Sequence, residues 1–190
     1  MNLSPAFSWR ALSLAAAVSL GALMAQAESF ALARRPIEIA ERGVLMETVL
    51  STTNRDFSFL PPPGWSMTVN TNEGKVTWLW QDLSSTINLR LYSGLSAPTG
   101  GQREDILRRF PEAKIHGESV CYTSGHQGRA FDLECTVQGG YVRETRLAWV
   151  RYGGGVVEIE LTCASEFFPR HQQVFNELLN SFRITARGEK

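Results

Sequence analysis

Net charge is the first thing the chain lacks: nineteen lysines and arginines stand against nineteen aspartates and glutamates over 190 residues. A chain this close to neutral has no electrostatic claim on nucleic acid or on an anionic membrane surface, so neither is expected as a partner. Cysteine is scarce. Cys121, Cys135 and Cys163 are the only three, none in a C-x-x-C spacing, which leaves a metal cage or a dithiol redox site without support. Histidine is as scarce: His116, His126 and His171 fall in neither His-x-x-x-His nor Glu-x-x-His, the spacings that gather zinc ligands on one helix face. There is no G-x-S-x-G, and no serine or cysteine has a base and an orienting partner near it in sequence. No long membrane span is present either. The apolar run Ala11 to Met24 has 14 residues, short of the roughly 20 that cross a bilayer.

That run has another use. Arg10 precedes it without any acid, and Ala25-Gln26-Ala27 follows it in the small-x-small form that signal peptidase reads. Residues 1–27 are therefore expected to be a cleavable secretory signal, with Glu28 the first mature residue and no membrane span left after cleavage. Cleavage removes one arginine, leaving eighteen basic residues against nineteen acidic. No cysteine follows the run to carry a lipid anchor. The expected location is periplasmic or secreted, and an oxidising compartment permits a disulfide.

No repeat, linker or low-complexity tract divides the remainder. Residues 28–43 mix charge, alanine and one proline without a period and read as an extended lead-in to a single domain over 44–187. Val44 to Ser51 reads as a strand; Phe57 and Phe59 alternate with Ser58 in a second. Then come Pro61-Pro62-Pro63. Proline cannot donate to a ladder, so three in a row end pairing, and Gly64 allows the reversal that brings Trp65 back to the core. A polyproline recognition segment would need exposed flanks; Phe57, Phe59, Leu60, Trp65 and Met67 call for burial instead. Lys75 to Gln81 and Thr86 to Tyr92 form a hairpin with Val76, Trp78 and Trp80 on one face and Ile87, Leu89 and Leu91 on the other strand's matching face. "QREDILRRF" is a short helix with acids at its start, ended by Pro111. A meander follows, over 118–123, 129–137, 141–152 and 156–163. Phe131, Leu133, Cys135 and Val137 alternate with Asp132 and Glu134, and Val157, Ile159, Leu161 and Cys163 alternate with Glu158, Glu160 and Thr162. A closing helix over 166–181 carries Val174, Phe175, Leu178, Leu179 and Phe182 as its apolar stripe, with Pro169 in its first turn.

A strand running into "FLPPPGW", a Trp-bearing hairpin, a short central helix, a meander and the ending "VVEIELTCASEFFPRHQQVFNELLNSFRI" occur in the order of one superfamily. From Met46 to Ile184 the chain resembles the PsbP superfamily, which includes the extrinsic photosystem protein, the Ran-binding Mog proteins and bacterial DcrB-like envelope proteins. The "P-x-G-W" step and "LLNSFRI" carry most of the likeness. What it implies is an α+β fold, a central antiparallel sheet with helices packed on its faces, in a PsbP-like αβα sandwich. Photosystem members are associated with manganese, calcium and chloride retention, but no motif here matches a ligand position. Neither a metal nor a cofactor is expected.

The remaining candidates have plain structural readings. Asp132/Glu134 and Glu158/Glu160 are expected to form a salt-bridged sheet face with Arg143, Arg146 and Arg151 rather than a catalytic carboxylate pair. "GGYVRETR" and "RYGGGVV" join strand to strand, so neither offers a helix N-terminus to phosphate. His126 reads as a solvated turn residue and His171 as a surface residue of the closing helix. Cys121 and Cys135 sit on the two arms around "SGHQG" and are the expected pair if a disulfide forms, with Cys163 a buried free thiol; a two-residue turn would instead put Cys121 and Cys135 on opposite faces. Trp65, Trp78, Trp80 and Trp149 are read as core, with a subset open to service as a ligand or partner surface. No catalytic residue is named. The expected function is that of an exported, non-enzymatic accessory or protein-binding domain of the cell envelope, its partner unnamed. The competing readings are a carrier of a small apolar ligand in an aromatic-lined pocket and a hydrolase whose site assembles only in three dimensions.

Overall fold

The computed structural model describes residues 28–81, 84–94, 103–136 and 140–187. The expected signal peptide, Val137 and most of the "SGLSAPTGG" loop lie outside the described residues. Strands come first: β1 (Ala31–Ile39), β2 (Gly43–Ser51), β3 (Arg55–Phe59), β4 (Ser66–Asn70), β5 (Lys75–Leu79) and β6 (Thr86–Ser93). Helix α1 (Arg103–Arg109) separates them from β7 (Lys114–Thr123), β8 (His126–Thr136), β9 (Val142–Tyr152) and β10 (Gly155–Ala164). A 3-10 turn over Ser165–Phe167, helix α2 (Phe168–Ser181) and β11 (Arg183–Ala186) close the chain.

The strands form two antiparallel sheets, one of seven strands in the order β4-β5-β6-β10-β9-β8-β7 and one of four in the order β1-β2-β3-β11. Most of the expected extended lead-in is strand β1. Residues 31–39 pair along their whole length with β2, Ala31 opposite Ser51 and Ile39 opposite Gly43, and make the edge of the smaller sheet. The terminal "FRI" is likewise a strand, with Ile184 opposite Phe57.

Alternation decides which side of the large sheet each residue serves. One face carries Trp78, Ile87, Leu89, Leu91, Val157, Ile159, Leu161 and Cys163, and packs against Phe57 and Phe59 of the small sheet and Phe175, Leu178 and Leu179 of α2. Phe59 stacks flat on Phe182 with ring centroids 5.5 Å apart and meets Trp78 edge-on at 5.4 Å. The opposite face carries a second, smaller cluster of Phe131, Leu133, Leu147, Trp149 and Val156, plugged by Ile106 of α1. The apolar rows of β8 and β10 therefore point to opposite sides of the sheet. The reason is register: Phe131 stands opposite Leu147, whereas Leu161 stands opposite Arg146, one residue along β9.

The same register overturns the cysteine pairing. The β7–β8 turn is two residues long, with Thr123 opposite His126 and Gly125 at φ 84°, so Cys121 faces Gly128. Cys135 lies seven residues further along β8, roughly 23 Å away at the usual rise per residue, and on the other face. A Cys121–Cys135 bridge is excluded by geometry, and all three cysteines are free thiols.

Burial pushes the Cys163 thiol up to about 12 and the Cys121 thiol up to about 11, so neither is a nucleophile at neutral pH. Burial also raises Tyr152 to about 12. These groups hold their protons more tightly folded than unfolded. Their contribution is complete below the ordinary thiol value of 9.0 and is lost as pH rises toward the folded values near 12. We expect the melting temperature to fall progressively above about pH 9, and Cys163→Ala to flatten that fall, in thermal melts followed by circular dichroism. A flat profile in the native protein up to about pH 11 would contradict the assignment.

Candidate functional site

The prolines end β3 at Phe59, as their missing N–H groups require. They then cross the C-terminal half of α2, where Leu60 N donates to Ser181 Oγ at 3.0 Å and that hydroxyl donates to Leu178 O at 2.8 Å. Opposite them stands the tip of the β1–β2 hairpin, turned by Arg42 N donating to Ile39 O at 3.0 Å and by Gly43 at φ 75°. Between the three lies a half-open groove of about 580 Å³. Its apolar lining comes from Ile39, Leu45 and Met46 of the hairpin, Leu60 and the three prolines, and Val174 and Leu178 of α2; Arg42, Arg183 and Glu177 also line it. Beyond its mouth the apolar surface continues along β2, where Met46 is 51% exposed and Val44 68% exposed. The prolines were expected only to stop a strand. They also wall the groove, a rigid side without backbone N–H donors.

The four tryptophans are not gathered there. Trp78 is fully buried and Trp65 nearly so in the main core, while Trp149 lies on the far side of the large sheet, its Nε1 donating to Glu158 at 2.8 Å. Only Trp80 is half-buried, lying 5.5 Å from Trp65 with Arg170 over its ring at 5.1 Å. His171 is not on the surface as expected. It is buried in this aromatic group, its ring centroid 5.0 Å from Trp65, 5.5 Å from Trp80 and 6.1 Å from Phe167. His116 instead meets Glu144 at 2.9 Å on an open part of the sheet, and His126 sits beside the β7–β8 turn. Among the described residues no group of three or more histidine, cysteine or acidic side chains could hold a metal ion.

The two acid pairs serve different faces. Asp132 takes both oxygens to Arg146 Nη1, at 2.7 and 2.8 Å, and Arg146 also reaches Ser119 Oγ at 3.2 Å. Glu158 and Glu160 belong to the α1 side, where Glu158 accepts from Arg90 at 3.1 Å and Arg109 at 2.7 Å, and Glu160 pairs with Arg109. Of the expected trio, Arg146 holds Asp132, while Glu158 and Glu160 are held by Arg109 of α1, invisible to strand alternation, with Arg90 also on Glu158. Arg109 ties the last turn of α1 to the sheet. Asp132, Glu158 and Glu160 are each paired with arginine, an arrangement that ties neighbouring elements together.

No family model and no curated protein matches the chain by sequence. Solved structures do. The solution structure of cyanobacterial PsbP (CyanoP) from Synechocystis is 15% identical, with a TM-score of 0.52 over 88% of this chain and 98% of that one. The fold is PsbP-like. The crystal structure of LpqN, involved in cell envelope biogenesis of Mycobacterium tuberculosis, is 13% identical with a TM-score of 0.49, covering 81% of this chain and 91% of that one. At 15% identity the likeness to CyanoP is one of architecture. No helix among the described residues of this PsbP-like chain is long and apolar enough to cross a membrane.

Proposed function

We propose that this protein is an exported, non-enzymatic accessory module of the cell envelope that works by binding another protein along the proline-walled groove. The observation that carries the reading is the continuity of the groove's aliphatic lining with exposed Met46 and Val44. An apolar centre beside charged side chains is the anatomy of a protein interface. Export rests on the Arg10–Ala27 segment. A ligand carrier would enclose most of its cargo, and this groove is half-open and lined by aliphatic side chains and proline rather than aromatics. A hydrolase would need an activated nucleophile beside a base, whereas burial raises all three thiols and His171 is enclosed by aromatic rings.

Two chromosomal variants separate the readings. Met46→Asp is expected to reproduce the phenotype of the gene deletion, with stability changed by no more than about 0.5 kcal/mol, as for other exposed positions. His116→Ala combined with His126→Ala is expected to behave as the native gene. Loss of function in the histidine variant, with Met46→Asp active, would replace the binding reading with a catalytic one.

A further inference from the structure

We infer that the groove's partner is a protein segment that combines an apolar anchor with acidic side chains, a reading that rests on the binding function proposed above. The inference comes from a charge imbalance. Several arginines are matched within the fold: Arg35 with Glu47, Arg90 and Arg109 with Glu158, Arg129 with Glu118, and Arg146 with Asp132. Arg42 and Arg183 both line the groove, and neither forms an ion pair with a described residue. The one acid lining it, Glu177, is already engaged by Gln173 Nε2 at 3.2 Å.

A partner seated here removes water from both guanidinium groups. An uncompensated charge desolvated at an interface costs affinity, and a carboxylate opposite it recovers the loss and sets orientation. A neutral or basic segment leaves two cations stranded beside aliphatic surface. An acidic segment with one or two large apolar residues satisfies both features, placing carboxylates on Arg42 and Arg183 and its anchor against Leu60, Pro62 and Leu178. A second copy of this chain fits poorly, because two identical grooves face to face bring two arginines for each glutamate. A lipid chain fits poorly as well, since a half-open groove leaves much of it wet.

Site-specific photocrosslinking in the native host tests this on the full chain. Pro63, exposed on the groove wall, is replaced by benzoylphenylalanine (Pro63→benzoylphenylalanine), and the crosslinked peptide is sequenced by mass spectrometry. The expected product is a segment of another protein with at least two acidic residues beside an apolar one. Its yield is expected to drop about tenfold in Arg42→Glu/Arg183→Glu, to drop less in Arg42→Gln/Arg183→Gln, and to stay unchanged in the control Arg103→Glu on α1. Equal melting temperatures of these variants exclude unfolding as the cause. A crosslinked protein segment without acids, or one insensitive to charge reversal, overturns this inference while the binding function stands. A crosslink to lipid or to a second copy, or none at all, overturns both.

Discussion

Replacing Glu158 with alanine is expected to cost the fold about 3–5 kcal/mol, because removing one member of a buried ionic group strands the others. The Glu158 side chain is 2% exposed and accepts three donors, Arg90 Nη1 at 3.1 Å, Arg109 Nη1 at 2.7 Å and Trp149 Nε1 at 2.8 Å. Without it the indole N–H loses its acceptor, and two guanidinium groups lose their shared counter-charge beneath α1. That helix has little else to hold it. It is seven residues long, too short to be stable alone, and Ile106 is its one buried residue. The loss should therefore show twice: as a fall in melting temperature of roughly 6–20 °C for a domain of this size, and as fast amide exchange in α1. Glu158→Gln keeps the shape and an acceptor for the indole and is expected to cost about half as much. The exposed pair Glu118–Arg129 sets the scale for comparison, since such pairs contribute about 0–1 kcal/mol. If Glu158→Ala costs no more than Glu118→Ala, the three-donor cluster is not what fixes α1.

Glu158 also shows where sequence patterning reaches its limit. That it alternates with Val157 and Ile159 is plain in the sequence, as is the burial of those two. Which side of the sheet it faces depends on the register of β9, which no spacing within β10 reveals. The same limit explains the cysteines: both arms of the β7–β8 hairpin are legible, but Cys121 and Cys135 can be neighbours only with a longer turn than Ser124-Gly125 provides. The four-stranded sheet was hidden because residues 31–39 carry no alternation of their own and pair as an exposed edge, leaving only Ile37 and Ile39 half-buried. His171 was within reach. It lies four residues before Phe175 and seven before Leu178, on the buried stripe of α2, and its chemistry drew the expectation outward where its position pointed in. The groove needed all three dimensions, since its walls come from a hairpin, a proline run and a helix far apart in the chain.

Gly128→Ala is expected to destabilise the protein by about 3 kcal/mol, the upper end of ordinary overpacking. In "SGHQGRA" this glycine reads as part of the turn, but it stands inside β8, opposite Cys121 on one side and Val150 on the other. A Cβ there would lie 2.3 Å from Trp149 O, 2.9 Å from Val150 Cγ2 and 3.0 Å from Cys121 Sγ. Two effects of opposite sign compete. An alanine restricts the unfolded chain and would stabilise by about 0.4–1 kcal/mol if the native site accepted it. The carbonyl of Trp149 belongs to the neighbouring strand, however, and cannot swing aside as a side-chain tip can; relief requires β8 and β9 to part and their ladder bonds to lengthen. The clash wins. Urea unfolding of Gly128→Ala beside Gly125→Ala separates backbone approach from turn conformation: at Gly125 a Cβ meets nothing within 4 Å, and the penalty is only that of φ 84°, of order 1–2 kcal/mol. The Gly128 variant should be the weaker of the two. If it is instead as stable as the native chain, the β8–β9 register is wrong, and with it the pairing of Phe131 with Leu147 and of Asp132 with Arg146.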